Sequence, residues 1–239
     1  MADRRTFIAG AAVLAGMAVS GISRALAASP GTRLTQLQTR LFNFRDDVTP
    51  QQAEAAIRLF KEHAAAAGIG SMMVGRNYVP IQFTTRFEWI YILEMPDAVA
   101  QATPAYADFR QTLERLGSLC RNQVQCDLAC ALPDHFAAAP GVGVRHTVMF
   151  SFKPGTPQAI RDKIVNDIRQ MGQLPTVRAY LVEPCRTPTI GPDEMEWQVI
   201  GDYASVADYR AYADAPVHLA IREDFTRNTA RVAFLDTMV

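Results

Sequence analysis

Phe87-Glu88-Trp89-Ile90-Tyr91-Ile92 and Met195-Glu196-Trp197-Gln198-Val199-Ile200 stand 108 residues apart and read as one segment written twice. At the same offset Phe42-Asn43-Phe44 falls on Phe150-Ser151-Phe152, and each is followed by a Thr-Pro pair, Thr49-Pro50 and Thr156-Pro157. Ala107-Asp108-Phe109-Arg110 lines up with Leu219-Ala220-Ile221-Arg222 after a small loop difference. Four matches in one order are the mark of a duplicated unit, here of about 100 residues.

Each unit reads strand, helix, strand, strand, helix, strand. In the opening strand of the second unit Val144, His146, Val148, Phe150 and Phe152 face one way, and Arg145, Thr147, Met149, Ser151 and Lys153 the other. That period of two, rich in aromatic and β-branched residues, is a strand signal. Thr49 and Thr156 are N-cap candidates with proline at the first helical position, and Gln52 completes a capping box in the first unit. The helices behind them present Ala53, Ile57, Phe60 and Ala64, and Ile160, Ile164, Ile168 and Met171, on one face, with Gly68 and Gly172 after the last turns. In the third strands Phe87, Trp89, Tyr91, Leu93 and Met95 share a face, as do Met195, Trp197, Val199, Gly201 and Tyr203. Burial of these faces against helices makes both tryptophans core residues, each aromatic ring contributing about 1.5–3 kcal/mol. Further helices are expected over residues 105–120 and, in two pieces, 206–229, with closing strands at 122–131 and 231–238.

The fold class is therefore α+β. A βαββαβ unit is a ferredoxin-like split motif, an antiparallel four-stranded sheet with helices on one face and a bare face on the other. Two such sheets packed together cover both bare faces, so the two units are expected to pair as an α/β barrel within one chain. The expected organisation is an export signal at 1–28, a divergent first unit at 29–132, a linker at 133–143 rich in Pro and Gly, and a second unit at 144–239.

Arg4-Arg5-Thr6-Phe7-Ile8, a soft apolar stretch to about Val19 and then Ala25-Leu26-Ala27 read as a cleaved signal peptide. The paired arginines before Phe7 resemble a twin-arginine signal. Periplasmic or secreted location is the expectation. The 239 residues are 49% hydrophobic and 20% charged, with a formal net charge of zero. Removal of residues 1–28 takes Asp3, Arg4, Arg5 and Arg24 and leaves a formal charge of −2. Such a balance argues against a general electrostatic grip on nucleic acid or anionic membrane. Beyond the N-terminus no apolar run reaches the length of about 18 residues that a membrane span requires.

The second unit resembles the stress-responsive dimeric α/β-barrel family, Dabb. The resemblance rests on Arg145-His146-Thr147-Val148-Met149-Phe150-Ser151-Phe152-Lys153-Pro154-Gly155 and on Tyr212-Ala213-Asp214-Ala215-Pro216-Val217-His218. Members typically open with a His, a V-x-F-x-F-type strand and a Lys-Pro-Gly-like turn, and later carry a Tyr and a His-Pro-x-His element. Here Ala215 replaces the first His of that element while Pro216 and His218 stand. The resemblance covers about residues 144–238 directly and 35–132 only through the internal repeat. It implies a barrel of two units, normally from two chains, and uneven functions: many members are known only as stress-associated, while some plant members cyclise polyketides with a His and a Tyr. Those positions fall on His218 and Tyr212, and the opening-strand His on His146. The first unit lacks the set, with Gln38 at the place of His146 and Tyr106 near that of His218.

His146, Tyr212 and His218 are thus the candidate site residues, expected around a pocket between the sheet and the second helical region. A His near neutral pKa can remove a carbon-bound proton and a Tyr can polarise the adjacent carbonyl, the chemistry of an aldol-type cyclisation. The bland alternative makes His218 a helix or loop cap and His146 a hydrogen-bonded strand residue. Three readings stand: a binding protein for a small apolar or aromatic molecule, a lyase or cyclase, and a structural oligomer without ligand. No metal and no cofactor are expected, because His-x-x-x-His and Cys-x-x-Cys spacings are absent, and Asp193, Glu194 and Glu196 read as a solvated loop and strand face. Of Cys120, Cys126, Cys130 and Cys185, the pair Cys126 and Cys130 lies too far apart along one regular strand to bond. Cys120–Cys126 across a turn and Cys130–Cys185 between units are both feasible.

Overall fold

A computed structural model describes residues 34–69, 72–78, 87–96, 98–131, 142–186 and 195–239. The expected signal at 1–28 and most of the expected linker lie outside the described residues, as do Asp193 and Glu194. In chain order the elements are β1 (Leu34–Phe44), α1 (Pro50–Ala66), β2 (Met72–Arg76), β3 (Trp89–Met95), α2 (Ala98–Gln101), α3 (Pro104–Ser118), β4 (Cys120–Ala131), β5 (Val144–Phe152), α4 (Gln158–Met171), β6 (Val177–Pro184), β7 (Trp197–Tyr203), α5 (Val206–Ala213), α6 (Pro216–Asn228) and β8 (Thr229–Met238). Among the described residues no helix is long and apolar enough to cross a membrane.

The strands form two antiparallel sheets in the orders β2-β3-β1-β4 and β6-β7-β5-β8, each the ferredoxin-like arrangement. The duplication extends to irregularities: β1 shifts register at Asn43/Phe44 and β5 at the equivalent Ser151/Phe152. Helices cover one face of each sheet, and the other faces meet in a shared core holding Leu37, Leu41, Ile90 and Leu128 from one half and Met149, Leu181, Ile200 and Leu235 from the other. Gln198 crosses this core, its Nε2 donating to Thr39 Oγ1 at 2.8 Å.

Two seams close the sheets into a barrel, and they occupy equivalent places in the internal repeat. At one, Arg186 N donates to Asp127 O at 2.8 Å; at the other, Tyr78 N donates to Asp236 O at 2.7 Å. The first seam is stapled by the Cys126–Cys185 disulfide, with Cα atoms 5.5 Å apart. This corrects both expected pairings. β4 begins at Cys120, so Cys120 and Cys126 lie along one extended strand rather than across a turn. The Arg186–Asp127 bond sets Cys185 level with Cys126, not Cys130. Cys120 and Cys130 remain free thiols, and burial pushes each up to about 11.

Local signals account for most element ends. Thr49 and Gln52 form the reciprocal capping box, and Gly68 ends α1 at φ 73°, where a Cβ would be strained. Thr156 does not cap α4: its hydroxyl donates to Lys153 O at 2.8 Å, and Pro157 takes the cap position. The buried face of α4 is Ile164, Val165, Ile168 and Met171, while Ile160 is exposed. Phe87 and Met195 lie in the inter-sheet core, opposite to the faces expected. Both precede their strands, where the chain is not yet pleated, so the alternation does not extend back to them. The tryptophans are half-buried rather than fully enclosed, with Arg76 5.2 Å over the Trp89 ring and Arg169 5.6 Å over Trp197.

Candidate functional site

The outward face of β5 carries Val144, His146, Val148 and Phe150 beneath α4, α5 and α6. Between this sheet face and the helices lies a cavity of about 290 Å³, near the lower end of the range for small-molecule sites. Its walls are mainly apolar, among them Val148, Ile168, Val199, Ile221, Phe225 and Phe234. One end is polar and aromatic, and there the structure brings together all three sequence candidates. The Tyr212 and His218 rings are 4.9 Å apart between centroids, and His146 and Tyr212 6.5 Å.

His218 stands in the first turn of α6, where Pro216 takes the position that needs no backbone donor. Its Nδ1 lies 2.9 Å from the carbonyl of Ala213, the last residue of α5. A carbonyl only accepts, so Nδ1 carries the hydrogen and Nε2 keeps a lone pair. Burial lowers the pKa of this imidazole below 6.5, with the Ala213 carbonyl pulling weakly the other way, so the neutral form holds at neutral pH. His218 therefore both caps the end of α5, as the bland reading expects, and offers a base nitrogen beside Tyr212.

His146 has partners that sequence reasoning missed. Its Nδ1 lies 2.5 Å from Asp236 Oδ1, a carboxylate almost wholly buried on β8, and 3.0 Å from the Tyr209 hydroxyl. Register places Asp236 directly opposite His146 on the neighbouring strand. The carboxylate accepts the Nδ1 hydrogen, so Nε2 is the ring nitrogen outside that bond. Tyr180 was missed too; its hydroxyl is 2.9 Å from that of Tyr212. Burial raises the pKa values of Tyr180, Tyr209 and Tyr212; the Tyr180 hydrogen bond pulls Tyr212 back, and the Asp236 carboxylate pushes Tyr209 further up. These phenols are hydrogen-bond donors, not phenolates, at neutral pH. The sequence signals were Tyr180 and Tyr209 at strand and helix positions without an assigned face, and an Asp whose importance depends on strand register.

Gly201 makes the tyrosine cluster sterically possible. A Cβ there would stand 2.8 Å from the Tyr203 hydroxyl and 3.1 Å from the Tyr180 ring. The first half has Leu93 at this position and the space above its sheet is filled instead. Where the second half has Val148, Val199 and Phe234 around the cavity, register puts Arg40, Tyr91 and Gln125 in the first. The Arg40 guanidinium lies 5.4 Å from the Tyr91 ring centroid and donates to Gln123 and Gln125. Phe60, equivalent to Ile168, stacks on Tyr91 at 5.1 Å. His63 bonds Thr112 at 2.7 Å and ties α1 to α3, where the second half has only Met171. Gln38, opposite Asp127, accepts from the Tyr91 hydroxyl at 3.3 Å in place of the His146–Asp236 pair.

Solved structures share this fold over nearly the whole chain. An anthrone oxidase-like protein matches at 12% identity and TM-score 0.56, covering 88% of this chain and 93% of its own. Monooxygenase-like proteins from Fusobacterium nucleatum and Lactobacillus acidophilus match at 13% identity each, with TM-scores of 0.54 and 0.50. They cover 86% and 87% of this chain and 92% and 94% of theirs. At such identities the likeness is one of fold alone. A comparison with curated proteins found no match. The half that holds the cavity is also the half with a sequence family: residues 144–239 match the Stress responsive A/B Barrel Domain.

Proposed function

We propose that this protein is an exported barrel of the stress-response type whose second half binds one small apolar or aromatic molecule bearing a carbonyl or hydroxyl group. The cavity carries the reading: apolar walls surround the body of the ligand, a tyrosine hydroxyl at the polar end donates to its oxygen, and His218 Nε2 accepts from a ligand hydroxyl. Native mass spectrometry of the exported protein should detect a co-purified small molecule. In titrations, His218→Ala should weaken the binding of simple phenols and Tyr212→Phe that of simple aromatic ketones, each at least tenfold, the factor that loss of a hydrogen bond of about 1.4 kcal/mol gives. Equal affinity in all three proteins would remove the polar end from the binding site.

A second reading, a lyase or cyclase, is favoured by one observation: a neutral His218 with a lone pair on Nε2 lies beside a phenol donor. His218 would take a proton from carbon next to the carbonyl, and Tyr212 would hydrogen-bond the oxygen as negative charge develops there. His146, bonded to Asp236, would hold the opposite wall. Under this reading His218→Ala abolishes turnover, whereas under simple binding no turnover exists to lose.

Export through a twin-arginine route fits Arg4-Arg5 and the Ala25-Leu26-Ala27 segment. N-terminal sequencing of the periplasmic protein should show cleavage after Ala27 or one residue later, and Arg4→Lys with Arg5→Lys should block export. A mature chain beginning at Met1 would overturn this.

A further inference from the structure

We propose that the first half serves as a positioning element for the site in the second half, and that Gly75 and Asn77 act through the β2–β8 seam to hold Asp236 against His146. This rests on reading the second-half cavity as the working site.

The two seams occupy equivalent places, yet they are built differently. At the β4–β6 seam a disulfide locks the strands, and the aspartate there, Asp127, faces Gln38 and a filled interior. At the β2–β8 seam there is no covalent link, and the aspartate is Asp236, the partner of His146. Three contacts from the first half converge on it. Tyr78 N donates to Asp236 O at 2.7 Å, Asp236 N donates to Asn77 Oδ1 at 3.4 Å, and Asn77 pairs with Thr237 as a bridge. The approach requires Gly75, since a Cβ there would stand 2.1 Å from the Thr237 Cγ2 methyl. The backbone on both sides of the Asp236 carboxylate is thus set from the other half of the molecule. At positions equivalent to those around the second-half cavity the first half carries Arg40, Tyr91 and Phe60, and it presents this edge to β8.

The consequence is specific. With Asp236 held, the neutral His146 ring keeps its hydrogen on Nδ1 rather than on Nε2. If the seam shifts, the carboxylate leaves Nδ1 and the ring samples both tautomers. Nitrogen–proton correlation spectra of ¹⁵N-labelled protein under mildly alkaline conditions read this directly, with the His146 signals assigned from His146→Gln. Wild type should show a protonated Nδ1 and an unprotonated Nε2. Gly75→Ala should move the two nitrogen shifts toward each other, and adding Thr237→Ser, which removes the obstructing methyl, should restore them. Asn77→Ala, at a half-buried position, should move them in the same direction as Gly75→Ala and Asn77→Asp, which keeps an acceptor, should restore them; this pair carries the test if Gly75→Ala does not fold. A seam with a merely structural role would lower the melting temperature in Gly75→Ala and Asn77→Ala and leave the His146 nitrogens unchanged, and that result would overturn the proposal. The measurement needs no ligand, so it stands or falls apart from the outcome of the binding titrations.

Discussion

Replacing Cys126 and Cys185 together with alanine should lower stability by about 4 kcal/mol, the loop-closure entropy of a crosslink spanning some 60 residues. For a domain of this size that corresponds to a fall in melting temperature of about 8–16 °C. The crosslink joins β4 of one half to the end of β6 in the other, across a sequence separation of 59 residues. Without it that seam keeps the Arg186–Asp127 backbone bond and the apolar inter-sheet packing, so the native fold should remain while the unfolded chain gains freedom. Calorimetry of the wild type with and without reductant, beside the double variant, checks this. Cys120 and Cys130 should not substitute, since Cys130 is buried, Cys120 is half-buried, and burial holds both thiols protonated near neutral pH. A melting temperature within about 2 °C of wild type would show that hydrogen bonds and packing alone close the barrel.

Asp202→Ala should cost a similar amount, about 3–5 kcal/mol, by a different route. Arg145 on β5 and Asp202 on β7 are directly paired by register, with Nε–Oδ1 at 2.6 Å and Nη2–Oδ2 at 2.7 Å. Asp202 is fully buried and Arg145 is 8% exposed, both on the inter-sheet side. Removing the carboxylate takes two short charge-assisted hydrogen bonds from a guanidinium buried in the barrel interior. Replacing both, as Arg145→Met with Asp202→Leu, should recover most of the loss, because a buried ion pair stabilises little relative to apolar groups of similar volume. Urea unfolding at constant m-value separates the two cases. Equal losses in the single and double variants would mean that shape, not charge, is what the pair supplies.

These expectations mark where local reading of the chain stops. Strand alternation in β5, the capping box at Thr49 and the 108-residue offset are set by steric and hydrogen-bonding rules that act within a few residues, and they carried the ferredoxin-like topology into the first half despite its divergence. The same alternation put His146 and Val148 on the helix side and Arg145 and Met149 on the sheet side, which the structure shows. It stopped short at Phe87 and Met195, two residues before the pleat begins, and at Thr156, whose hydroxyl found a nearer carbonyl. The resemblance supplied Tyr212 and His218 as neighbours, and five intervening residues with a proline among them are enough to bring them within 5 Å.

What the chain alone determined is the pair of βαββαβ units, the faces of their strands, and three of the residues around the cavity. Tertiary structure alone decided the partner of Cys126, the pairing of Arg145 with Asp202, the carboxylate on His146, and the opening of a cavity above the sheet of the second half. The physical reason is common to all four. Periodicity fixes which way a side chain points along its own strand, but not which residue of another strand lies opposite. That depends on register and on which edges meet at the seams, and both are set by the fit of the whole barrel. Val148 in place of Arg40 and Gly201 in place of Leu93 are small differences between the repeats; only with the neighbours across the sheet in view do they become the difference between an open pocket and a filled one.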